Sequence, residues 1–256
     1  MNYQSSGVFA GAVALVVCGT WTGQAYAQAE VKEKPPMYSY VANWVIPRAQ
    51  WAELEKGRGD SKIYEKALSS GTLVGYGNDT TLVHSADGPT HDNWWSSMSM
   101  AGLLSVLDDL HKAPPAPVLN SATKHWDHVY VSRYYNWHAG SYKGAYTREA
   151  TYKLKPDANS DALDLLAKQL IVPLLEKLLA DGTLLEYEID EEAVHTQSTD
   201  MFWIISISKS AAGQDKLDNA IRETLKASPL AGPAFGSMVD FSAHRDDLAQ
   251  TEATFK

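Results

Sequence analysis

The chain has 256 residues, 45% of them apolar and 21% charged, an ordinary globular balance with enough apolar mass for a sizeable core. Its net charge of −9 argues against a sequence-independent grip on nucleic acid, which needs clustered Lys and Arg. A single cysteine, Cys18, excludes a disulfide framework.

In chain order, the first 27 residues carry no charged side chain, and residues 8–17 form an apolar run of ten. Ten residues fall short of the roughly 20 that span a bilayer. Followed by Ala25-Tyr26-Ala27, they fit a secretory signal, residues 1–27, cleaved before Gln28. The expectation is an exported protein, periplasmic or secreted, with no stable membrane insertion after signal removal. No thiol chemistry is expected, because Cys18 leaves with the signal. Residues 28–37, containing AEVKEKPP, read as a disordered spacer.

Residues 37–46, MYSYVANWVI, are aromatic and β-branched and read as a strand, with Pro47 at a first helical position. Trp51 and Leu54, then Ile63 and Ala67, give a helix interrupted at Gly57-Arg58-Gly59. The Arg58-Gly59-Asp60 triplet matches an adhesion motif, but three residues are too few to carry a function. A strand over 72–84, a loop carrying His91 and Asp92, and a strand over 93–100, NWWSSMSM, come next. Ala101-Gly102 opens another helix, and a proline-marked connection at 113–117 leads to a strand at 129–132.

The stretch 65–84 recurs at 176–195 with ten of its twenty residues identical. Each copy ends a helix at a glycine in the left-handed cap position, Gly71 or Gly182, and continues as a strand that opens Thr-Leu and closes Val-His. An aromatic joint at 134–143 and a strand at 146–154 start the second copy. Its helix, 161–180, has leucines on one face, a Ser160 cap and a kink expected at Pro173. The strand MFWIISIS, a helix with Leu217, Ala220, Ile221 and Leu225 on one face, and a final strand at 239–242 complete it. The division is then a first repeat at 38–142, a second at 143–248 and a C-terminal tail at 249–256.

A β-α-β-β-α-β unit is the ferredoxin-like pattern. Two in tandem, from Tyr38 to about Leu248, resemble the dimeric α/β-barrel superfamily in its single-chain form. The resemblance rests on element order and the internal repeat. It implies an α+β fold of two tandem ferredoxin-like repeats forming a single-chain α/β barrel with facing sheets, helices outside and any site in the cavity between the sheets. The superfamily includes cofactor-free monooxygenases, haem-binding peroxidases, chlorite-degrading enzymes, stress-induced proteins and structural ones, so the resemblance leaves the chemistry open.

Five residues are expected to bind a ligand: His84, His91, Trp94, Asn43 and Ser97. His84 recurs as His195 at a strand end beside a tryptophan-led strand. Adjacent Trp94 and Trp95 point to opposite faces, so one packs under the helices and the other looks into the space between the sheets. Asn43 and Ser97 supply the few polar groups usual in a small-molecule site. His84, His91, Asp79 and Asp92 match no named metal motif, and no metal ligand is assigned. His84 or His138 is available to a haem, but the sequence selects neither, so no cofactor is assigned. Glu186, Glu188, Asp190, Glu191 and Glu192 read as a solvated acidic strand edge. The first copy, with the longer loop and most of the histidines, is expected to carry the site. The function expected is binding of a small apolar or aromatic ligand between the sheets, or a structural role, the alternative being a monooxygenase-like or haem-dependent oxidoreductase. The sequence sets no oligomeric state.

Overall fold

The computed structural model describes residues 31–57, 62–114 and 116–256. The expected signal with Cys18, the cleavage site before Gln28 and the Arg58-Gly59-Asp60 triplet lie outside them. The first half contains β1 (Met37–Val45), α1 (Trp51–Gly57), α2 (Lys62–Ser70), β2 (Gly75–Thr81), β3 (His91–Ser97), α3 (Met100–Lys112) and β4 (Lys124–Trp137). The second contains β5 (Gly140–Lys153), α4 (Ala162–Leu166), α5 (Val172–Ala180), β6 (Leu184–Glu192), β7 (Met201–Ser208), α6 (Ala211–Ala227), α7 (Ala231–Met238) and β8 (Arg245–Phe255).

The eight strands close into one antiparallel barrel in the order β1-β3-β2-β8-β5-β7-β6-β4. Within it each half keeps the same internal order, β4-β1-β3-β2 and β8-β5-β7-β6. The seams are β2 with β8 and β4 with β6. The halves therefore meet edge to edge as well as facing one another, and closure leaves no unpaired edge to template aggregation.

Alternation along each strand sends one set of side chains under the helices and the other inward. Tyr40, Ala42 and Trp95 pack outward with Tyr64 and Ala67 of α2 and Leu103 and Val106 of α3, Tyr40 stacking on Trp95 at 4.4 Å. In the second half Leu184, Tyr187 and Ile189 meet Leu175, Leu178 and Leu179 of α5 and Leu217 of α6. Both helices that precede the repeated strands stop at left-handed glycines, Gly71 (φ +79°) and Gly182 (φ +75°).

Several expectations are corrected. The final strand is not 239–242: Val239 makes one isolated bridge to Leu154, and the strand proper begins at Arg245. The supposed tail, 249–256, is most of β8, paired to β2 on one side and β5 on the other. Its inward positions, Ala249, Thr251 and Ala253, are small and give no apolar strand signal. The aromatic joint is strand as well, since Tyr134 and Trp137 belong to β4 and only His138 and Ala139 separate it from β5. His91 and Asp92 lie in β3, not in the loop before it. No side chain caps α4, and the disruption expected at Pro173 is taken up by a π-helical turn at Ala167–Ile171. The described part of the spacer is tied down: Lys34 N donates to Arg133 O at 2.8 Å, and the Tyr135 hydroxyl donates to Pro35 O at 2.8 Å.

Candidate functional site in the barrel interior

The barrel encloses a cavity of about 1190 Å³. On one side β2 contributes Gly75 and Gly77, whose missing side chains leave room for aromatic rings. A Cβ at Gly77 would stand 2.5 Å from Trp94 Cζ2, and one at Gly75 would stand 2.6 Å from Phe255 Cδ1. The rings of Trp94 and Phe255 are 5.6 Å apart, and Trp137 lies 6.2 Å from Phe255. At the offset of the internal repeat, Gly75, Gly77 and Asp79 correspond to Glu186, Glu188 and Asp190 of β6. In an eight-membered ring β2 and β6 are four strands apart in either direction, so the two copies of this strand face each other across the cavity. One copy presents glycine overlaid by aromatic rings, the other carboxylates.

The acidic wall is buried, which corrects the reading of 186–192 as a solvated edge. β6 is paired on both sides, and Tyr187 and Ile189 are committed to the helices, so period-two alternation turns Glu186, Glu188 and Asp190 inward. Glu186 is 4% exposed and Asp190 0%, whereas Glu191 lies outside. Glu188 Oε2 accepts from the hydroxyls of Ser39 and Ser132, each at 3.4 Å; Ser132 also donates to Asp190, and Ser39 is bonded to Ser96 at 2.8 Å. Burial, then the charge of Glu188, pushes Glu186 and Asp190 well above the usual carboxylate range. Burial pushes Glu188 up to about 7 against the opposing serine hydrogen bonds. On the same wall, flanking Ile205 of β7 with Glu188, Glu149 of β5 is pushed up to about 8 by burial and then by Asp247, Asp79 and Glu188. Glu149 and Glu188 are half-buried, and both line the cavity. Glu186 Oε2, Asp190 Oδ2 and the Thr147 hydroxyl oxygen are buried with no hydrogen-bond partner among the described residues.

The mouth is bordered by loops, including 85–89 and Thr196-Gln197. Glu192 at the end of β6 pins the second loop, accepting from Thr196 N (3.1 Å), Thr196 Oγ1 (2.8 Å) and Gln197 N (3.0 Å). It also lies 3.3 Å from His128, whose imidazole burial holds below its ordinary value.

Of the five expected site residues, Asn43 and Trp94 line the cavity. Trp95 takes the outward position, as the alternation requires. Ser97 is also on the helix side, donating to Thr72 O at 2.7 Å. His91 is buried outside the barrel between Trp51 (ring centroids 4.9 Å) and Glu55 (3.7 Å), while His84 is exposed and touches the edge of Trp51. Asp79 and Asp92 line the cavity, so the structure separates them from both histidines. Among the described residues no group of three or more His, Cys, Asp or Glu side chains is placed to hold a metal ion. Neither histidine named for a haem reaches the cavity: His138 is bonded to Leu179 O of α5 at 2.9 Å and His84 is exposed, while His128 lines the cavity and is engaged by Glu192. The residues missed from the sequence are Glu149, Glu186, Glu188 and Asp190. A signal existed, since Asp79 and Asp190 are the same residue in both copies of the repeat and both are buried.

No protein-family model matches the chain, and no curated protein matches it by sequence. Solved structures do match. A proposed monooxygenase from Lactobacillus acidophilus NCFM aligns over 87% of this chain and 97% of its own, with TM-score 0.58 and 12% identity. One from Fusobacterium nucleatum aligns over 87% and 95%, with TM-score 0.62 and 8% identity. An anthrone oxidase-like protein aligns over 86% and 94%, with TM-score 0.52 and 12% identity. At these identities the likeness is one of fold.

Proposed function

For a chain with the fold of the dimeric α/β-barrel superfamily, we propose a small-molecule binding protein that holds its ligand inside the barrel. The observation that carries this reading is the cavity. An eight-stranded barrel is either filled by its own side chains or holds one small ligand, and here about 1190 Å³ is open between a polar wall and an aromatic one, whose Trp94 and Phe255 rings lie over Gly77 and Gly75. Aromatic surface with a few convergent polar groups is the usual composition of such sites. In this reading the two halves are ferredoxin-like repeats descended from one duplicated unit, and the apolar run at 8–17 with Ala25-Tyr26-Ala27 directs export.

The test is to expose the full chain to a mixed small-molecule library and identify what is retained by mass spectrometry. A compound retained by the wild type, and held about tenfold more weakly by Trp94→Ala, supports the reading. Retention of nothing defeats it. A second reading, cofactor-independent oxygenation, is favoured by Glu149: a carboxylate pushed up to about 8 inside a cavity is a base poised near neutrality. Oxygen uptake with a retained compound, lost in Glu149→Gln, separates the two.

A further inference from the structure

We propose that the ligand is an organic cation, a protonated amine whose apolar body lies against Trp94 and Phe255 and whose nitrogen is held on the opposite wall by Glu186 and Glu188. This rests on the reading of the barrel interior as a binding cavity and adds the chemistry of what enters it.

Three independent features of the interior point the same way. The first is unbalanced charge. Carboxylates enter the cavity from β2, β3, β5, β6 and β8, whereas the only basic side chains among its described lining residues are His128 and Arg245, at the mouth. The second is the hydrogen-bond inventory. Glu186 Oε2 and the Thr147 hydroxyl oxygen are buried in the cavity wall without a partner among the described residues, and leaving such groups unmade costs free energy. The Thr147 hydroxyl can donate or accept, whereas Glu186 Oε2 accepts once its carboxyl is ionised; a cation that brings N–H donors meets both and favours ionisation of the carboxyls that burial holds protonated, which an anion does not. The third is the aromatic wall, whose apolar surface covers a hydrocarbon body. A bare metal ion does not satisfy this arrangement: among the described residues no group of three His, Cys, Asp or Glu side chains is placed to coordinate one. An amine with an apolar body spans it.

The experiment uses the unmodified full chain and matched pairs of probes, tyramine against tyrosol and hexylamine against hexanol, titrated calorimetrically at about pH 8, where both amines are charged. The expected result is that the amine binds at least about tenfold more tightly than its alcohol in one or both pairs. In Glu186→Gln/Glu188→Gln that preference is expected to collapse while alcohol binding survives. Alcohols that bind as well as or better than the amines overturn the cation inference and leave the cavity reading standing. Failure of all four probes to bind overturns the inference, and an empty library screen beside it removes the cavity reading too. A preference that persists undiminished in the double variant refutes the role of these two carboxylates. Since the first comparison is made on the unmodified protein, it decides the question even if the variant does not fold.

Discussion

Glu149→Gln is expected to flatten the fall in stability with rising pH. In the folded chain Glu149 is held protonated by burial and by Asp247 of β8, Asp79 of β2 and Glu188 of β6, so its value stands at about 8 against an ordinary 4.5. A carboxyl whose folded value is raised makes its full contribution to stability below the unfolded value and loses it as pH climbs to the folded one. The window therefore runs from about 4.5 to about 8, and stability falls through it. Taken whole, that interval is worth a ceiling of about 5 kcal/mol. Glu149 is only half-buried, and its titration is coupled to Glu188, so we take about 2 kcal/mol. In a chain of this length that is roughly 4–8 °C of melting temperature. Buried His128 acts in the opposite sense, costing stability as pH falls below its ordinary 6.5. The comparison is therefore between variant and wild type, each melted in calorimetry between about pH 5 and about pH 8.5. A variant that keeps the full wild-type slope refutes the assignment of a protonated Glu149.

The remaining predictions concern the frame. Gly182→Ala is expected to cost about 1–2 kcal/mol in denaturant melts, all of it backbone, because nothing lies within 4 Å of an added Cβ and only φ (+75°) resists. A neutral result there would remove the left-handed cap from the account of the repeat. Deleting 249–256 should abolish cooperative folding, since it removes every β8 partner of β2 and most of those of β5. A soluble truncated protein with a sharp melting transition contradicts barrel closure.

What the sequence made legible followed from strong periodicity. β1 and β7 are dense in large apolar and aromatic residues, and the repeated helix ends are marked by glycines that only the left-handed region explains. Element order then followed from the recurrence of 65–84 at 176–195. β8 escaped because a strand whose inward positions are Ala249, Thr251 and Ala253 looks polar and irregular. The site escaped for a different reason. Alternating acids beside Tyr187 and Ile189 identify a strand with one apolar face, but whether the acidic face meets water or an enclosed interior depends on pairing at both edges, which no local pattern encodes. His84 drew attention because it recurs as His195, and His91 because the sequence there reads as the longer loop of the first copy; His84 falls beyond the end of β2, His91 takes the outward side of β3, and both fall outside the cavity.

The sequence pointed to the first copy as the carrier of the site; in the reading proposed above, both copies line it. If the duplicated strand had stayed the same on both sides, the cavity would be either uniformly acidic or uniformly open. Instead Gly75 and Gly77 face Glu186 and Glu188, and the positions are not exchangeable. A side chain at Gly77 would begin 2.5 Å from Trp94 and 2.9 Å from Glu252 O, so glutamate there would have to displace the indole that forms the wall. Glycine at 188 would remove the acceptor that Ser39 and Ser132 now share. In the first copy Gly75 and Gly77 make room for rings, in the second Glu186 and Glu188 add to the carboxylates that Asp79 and Asp92 already supply, and the polarity of the cavity belongs to neither repeat alone.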